Sequence, residues 1–196
     1  MAENKVTFGL SGLHIAFQTG TDDAPAWGAP IEWPGAISMS QAPAGASNIL
    51  YADNIPYYVS ESNNGYTSTL TVATIPRKIE EMIWGLKRDA SGLVIEFADV
   101  EPPEFALLAQ TEGDTTPIRL VYYRCKASRA TEDFETKGEN IVPKTKGINI
   151  TVTPLLIPIG SDRRPINKAK IFKTDATGTA WEDFISDVVL PTSLVP

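Results

Sequence analysis

Two short segments of the chain alternate strictly between apolar and small polar residues, and they constrain the fold more than any other feature. From Ser68 to Ile75, Leu70 and Val72 fall on one face, while Thr69, Thr71 and Ala73 fall on the other. From Ile148 to Thr153, Ile148, Ile150 and Val152 alternate with Asn149, Thr151 and Thr153. A period of two places successive side chains on opposite faces of a strand, so each segment predicts a strand with one face on a core and one in water. The stretch from Thr19 to Ser47 carries Pro25, Pro30, Pro34 and Pro43 among several glycines, a density that excludes a long helix there.

Ile118–Ala127 has apolar residues on both faces, with Leu120 and Tyr122 on one and Val121, Tyr123 and Cys125 on the other. A strand apolar on both faces belongs inside a sheet, and Cys125 there reads as a core residue, not a nucleophile. Phe105–Thr111 is its hairpin partner, turning around Glu112-Gly113-Asp114, and Leu93–Phe97 and Lys168–Lys173 read as further strands. Pro76 opens a central helix over about 76–86, with Ile79, Met82, Ile83 and Leu86 as its apolar stripe and Gly85 as its terminator. A second, short helix runs from Trp181 to Leu190, capped by Thr179. The expectation is a mainly β (α+β) fold, a single domain over 1–196, with antiparallel strands in a sandwich or barrel flanked by the two helices.

The chain carries 24 acidic and 17 basic residues, a net charge of -7. Gripping nucleic acid needs Lys and Arg against phosphates, so this balance argues against a DNA-binding role. One cysteine permits no intrachain disulfide and fits synthesis in a reducing compartment. No apolar run approaches the ~18 residues of a membrane span, and the start has no signal-peptide pattern, so no membrane association is expected. His14 is the only histidine, with no second His or Cys for a zinc site, and no nucleophile elbow or phosphate loop is present. Adjacent carboxylates such as Glu80-Glu81 and Glu182-Asp183 read as solvated faces. Neither enzymatic activity nor a cofactor is expected.

Residues 51–66, YADNIPYYVSESNNGY, form a polar and aromatic loop or hairpin with a turn at Asn63-Asn64-Gly65. Tyrosines are enriched at interface cores, so Tyr51, Asp53, Asn54, Tyr57, Tyr58, Asn63, Asn64 and Tyr66 are the candidate contact residues. A solvated strand face is expected at Thr69, Thr71, Asn149, Thr151 and Thr153.

The segments ADNIPYYVSESNNGY (52–66), LTVATIP (70–76), GLVIEFADVEPPEFALLAQTEGD (92–114) and LVYYRCKASRATED (120–133) together resemble the major tail protein family of long, non-contractile-tailed phages. The opening MAENKVTFGLSGLHIAF, the late strand INITVTP and the WEDF ending are similar too, so the likeness covers nearly the whole chain. The resemblance implies a β-sandwich flanked by a helix, with subunits that form hexameric rings stacked into a hollow tail tube. It implies a virion protein made in the host cytoplasm, whose partners are other copies of itself, a tape measure protein inside the tube, and tail terminator and tail tip proteins. DNA would pass through at ejection without specific binding, and an acidic conduit would repel phosphate. A long loop at about 41–67 is the expected bridge between rings, and no appended immunoglobulin-like domain is expected. Two alternatives stay open: another virion structural protein (tail terminator, connector or head decoration), and a carbohydrate-binding β-module using Trp27, Trp33 and the tyrosines.

Overall fold

The computed structural model describes residues 3–136, 143–160 and 162–193. In chain order the elements are β1 (Thr7–Phe17), β2 (Ile31–Glu32), β3 (Ala36–Pro43), β4 (Ser47–Ala52), β5 (Ile55–Glu61), β6 (Tyr66–Val72), α1 (Arg77–Ile83), β7 (Lys87–Arg88), β8 (Val94–Ile95), β9 (Phe105–Gly113), β10 (Ile118–Ala127), β11 (Lys146–Val152), β12 (Leu155–Ile159), β13 (Asp162–Ile166), β14 (Lys168–Phe172) and α2 (Ala180–Ser186). The fold is mainly β, and every strand pairing is antiparallel.

The main sheet runs β2-β1-β9-β10-β11-β6-β3, with β14 added beside β10. β10 is shared lengthwise: Ile118–Tyr122 pairs with β14, and Cys125–Ala127 pairs with β11. The sheet curls until β3 lies beside β1 without hydrogen bonding to it, leaving a seam in an otherwise barrel-like wall. Two glycines roughen the β1 side of that seam. Gly9 and Gly12 sit at φ 65° and 55°, where the β1–β9 register slips, so β1 bulges instead of presenting a regular edge.

The core has two parts, one on each face of β1-β9-β10. On the concave face, Ile15, Trp33, Leu70, Val72, Phe105, Leu107, Tyr122, Ile148, Ile150 and Val152 pack with Ile79 and Ile83 of α1. On the other face, Ala16, Ala106, Leu108, Val121 and Tyr123 are covered by Leu155 and Ile157 of β12 and by Phe184 and Val188 of the C-terminal segment. Burial on both faces explains the continuous apolar runs Phe105–Ala109 in β9 and Leu120–Tyr123 in β10.

Cys125 is buried, as expected of a core residue, but on the opposite face from the one the alternation implies. It packs with Tyr122 on the concave side, because the β9–β10 register slips between Tyr122 and Cys125 and turns the strand over. Burial pushes its thiol well above the ordinary range.

Both helices are shorter than the sequence suggests. α1 ends at Ile83 because Trp84 leaves helical geometry and Gly85 adopts φ 65°; Leu86 still packs on the core from outside the helix. Thr179 does not cap α2 with its side chain. Its hydroxyl donates instead to Asp183 Oδ2 at 2.6 Å. What holds α2 down is packing: Trp181 and Phe184 are buried, and the Arg119 guanidinium lies 4.2 Å from the Trp181 ring while donating to its carbonyl. Farther along the same segment, Tyr123 donates its hydroxyl to the Val189 carbonyl at 2.8 Å. Of the expected strand at Leu93–Phe97 only Val94–Ile95 pairs, with β7. The charged connection over 130–147 is described only in part, since 137–142 lie outside the described residues.

Candidate functional site

The segment expected as a loop at 41–67 is mostly strand. β3 ends at Pro43, β6 begins at Tyr66, and between them β4 and β5 form a separate hairpin that, among the described residues, pairs only with itself. Its tip is Asp53-Asn54, both with positive φ (52° and 64°), the two-residue turn whose twist matches a hairpin and which Asn and Asp tolerate. The turn read at Asn63-Asn64-Gly65 is instead the return from the hairpin into β6. Gly65 is required there: φ is 112°, and an added Cβ would stand 1.9 Å from the Val152 carbonyl oxygen.

The tip and shaft therefore bring Tyr51, Asp53, Asn54, Tyr57 and Tyr58 together on one projecting arm, whereas Asn63, Asn64 and Tyr66 stay at its root. Asn63 accepts from Asn167 Nδ2 at 3.1 Å, and Lys168 Nζ stands 4.3 Å from the Tyr66 ring, so the root is tied to β14. The arm also carries Ile49, Leu50, Ile55 and Val59, which the sequence reading missed. All four are exposed, as are the tyrosines; Tyr57 is 73% exposed and Leu50 59%. Ile49 pairs with Val59 on one face and Leu50 with Tyr58 on the other, so both faces are apolar. An isolated two-stranded hairpin is marginal in water, and exposed apolar patches of this kind mark contact surfaces. Between Ser47 and Glu61 the only charges are Asp53 and Glu61.

A second exposed apolar set lies at the other end of the sheet. The arm leaves from Pro43 and Tyr66, the ends of β3 and β6 opposite Ala36 and Val72. Leu93, Phe97 and Phe134 lie at the Val72 end: α1 follows β6 there, Arg129 pairs with Glu96 at 2.7 Å, and Phe134 stands 5.9 Å from Lys146 Nζ. All three are exposed, Phe134 at 84%. A groove of about 490 Å³ opens between Phe17, Met82, Leu86 and Pro103 at the end of α1, with Glu81 and Lys87 at its rim. Among the described residues, Lys78 and Lys87 of this end have no carboxylate partner.

The outer surface of β3, β6 and β11 is a third feature. Thr69, Asn149, Thr151 and Thr153 are exposed and Thr71 is half-buried. Their cross-strand rows read Ser38–Thr71–Gly147, Ser40–Thr69–Asn149 and Ala42–Thr67–Thr151. Nine neighbouring positions thus hold no charge, and Thr69 donates to Asn149 Oδ1 at 2.9 Å within them. The net negative charge does not reside on this face. Its border is an ionic cluster of two cations and three carboxylates, in which Arg124 meets Glu104 at 2.8 Å and Asp22 at 3.4 Å, while Lys126 meets Glu101 and Glu104.

Trp33 offers no sugar-stacking platform, and Trp27 is half-buried. Trp33 is fully buried and donates Nε1–H to the Thr74 carbonyl at 3.2 Å, and Trp27 packs on Tyr123 with ring centroids 5.9 Å apart. Half-buried His14 has its Nδ1 3.0 Å from the Gly12 carbonyl. No cluster of potential metal ligands occurs among the described residues. Comparison with protein-family models and with curated proteins returns no match.

Proposed function

We propose that the chain is a structural subunit that polymerises end to end into a phage tail tube. The carrying observation is that two of its exposed apolar sets, the β4–β5 arm and the Leu93/Phe97/Phe134 surface, stand at opposite ends of one sheet. A contact between two different patches is heterologous, and when its patches face opposite ways it propagates as a stack instead of closing as a dimer. The arm of one copy seats its apolar side chains against the Leu93/Phe97/Phe134 end of the next.

Lateral growth has its own surface. Among the described residues β14 pairs only with β10, so its other edge is free for a neighbouring copy, whereas the unpaired edge of β3 faces β1 of its own chain across the seam. The six-fold ring, the tape measure protein in the bore, and the terminator and tip proteins at the ends belong to this reading through the sequence resemblance. The uncharged threonine face is the surface we assign to the bore. A bore lined by hydroxyls neither traps phosphate nor depends on repelling it, so the acidic surplus serves solubility elsewhere on the subunit.

Negative-stain microscopy of the purified chain, with and without preformed tube fragments as seeds, tests the reading. Rings or hollow tubes are expected in the seeded sample. Discrete closed dimers, or monomers that ignore the seeds, contradict it.

A further inference from the structure

The seam between β1 and β3 opens into a cavity of about 190 Å³ inside the curled sheet, lined by Leu10, Met39, Ala109, Leu120, Gln41 and Tyr122 among others. That is the size of cavity that accepts a benzene-sized molecule in other proteins. Its polar groups are gathered around one of these side chains. Gln41 Oε1 lies 3.3 Å from both Tyr122 Oη and Lys168 Nζ, and this fixes the amide, since the flipped orientation would place two nitrogens against each other. Gln41 Nε2 is then a buried donor with no partner. Lys168 is half-buried between Tyr66 (4.3 Å) and Tyr122 (6.0 Å), and among the described residues no carboxylate pairs with it.

We propose that this seam is a binding site for a small organic monoanion with an apolar body, of the medium-chain or aromatic carboxylate class. A buried donor without an acceptor is costly, and a half-buried ammonium held only by neutral groups is the natural partner of an anion. A carboxylate at the mouth accepts from Lys168 Nζ, which keeps two N–H groups beyond the one given to Gln41 Oε1, and from Gln41 Nε2–H; the Tyr122 hydroxyl proton is already given to Gln41 Oε1, and no acid competes. The tail enters among Leu10, Met39, Ala109 and Leu120, where a charged or strongly hydrated group has no partner. The two requirements together select the class: acetate has the charge without the body, and an alkylamine has the body with the wrong charge. The site lies wholly within one chain and is independent of the assembly proposed above.

Titration with octanoate, followed by the methyl NMR signals of Met39 and Leu120, tests this directly. Saturable shifts are expected with octanoate. Octylamine and acetate at the same concentrations are expected to leave the signals in place. Lys168→Met keeps the apolar stem and removes the charge, so it should weaken octanoate by about tenfold or more. Met39→Trp fills the cavity and should abolish binding with the fold intact by circular dichroism. Absence of saturable octanoate shifts, equal binding of octylamine, or unchanged affinity in Lys168→Met overturns the proposal.

Discussion

Replacing Leu50, Tyr57 and Val59 together with serine should abolish tube formation while leaving the subunit folded. The three side chains are exposed in the single subunit and belong to a hairpin that pairs only with itself, so the core loses no contact when they change. Buried in a joint, each contributes about 1.5–3 kcal/mol of apolar transfer free energy, roughly 5–9 kcal/mol for the set. Every ~1.4 kcal/mol is tenfold in affinity, so the joint weakens by about three orders of magnitude or more. Sedimentation should find only unassembled subunits, with a thermal midpoint close to that of the unaltered chain. Tubes that still form from the triple variant would remove the arm from the joint.

Trp33→Ala should be the most damaging single change to the subunit itself. Trp33 is fully buried on the concave face, its backbone N–H donates to the Leu13 carbonyl at 2.8 Å, and its indole N–H satisfies the Thr74 carbonyl. Truncation leaves a large cavity and removes the hydrogen bond to Thr74, at a cost of about 3–5 kcal/mol. Whole domains are stable by only about 5–15 kcal/mol, so the urea midpoint should fall steeply. Trp33→Phe keeps much of the volume and should lose less. A loss below about 1 kcal/mol for the alanine variant would contradict the burial assigned to this ring. The same substitution bears on function: a tryptophan buried in the core is not free to stack on a sugar.

What could be read from the sequence follows from how each strand meets water. β6 and β11 were legible because one face is wet: Leu70, Ile148, Ile150 and Val152 alternate with threonines and asparagine, and the registers Leu70↔Ile148 and Thr69↔Asn149 set like against like. β10 was legible as a buried strand, but no pattern in its residues reveals the bulge that turns Cys125 to the concave side. The β12–β13 hairpin was hidden by Pro158 and Pro165, which argue against strands. It tolerates them because the hairpin forms a separate two-stranded sheet instead of sitting inside the main one. The arm was only half legible. Its tyrosines marked a contact surface, yet both faces are apolar, so Ile49, Leu50 and Val59 give no alternation. The turn also falls at Asp53-Asn54, ahead of the stronger-looking Asn63-Asn64-Gly65. The Leu93/Phe97/Phe134 surface had no sequence signal, because loops around α1 and after β10 bring it together.

In the proposed stack, the arm of one copy seats on the opposite end of the next. Cys125 is buried, so cysteines introduced at the surface are the reactive ones. Under mild oxidation, Tyr57→Cys alone should give no disulfide-linked dimer, whereas Tyr57→Cys combined with Phe97→Cys in the same chain should give a ladder of linked subunits extending well beyond dimers. A strong dimer from Tyr57→Cys alone, with nothing larger from the double variant, would mean that arms pair with arms, and would contradict the stack.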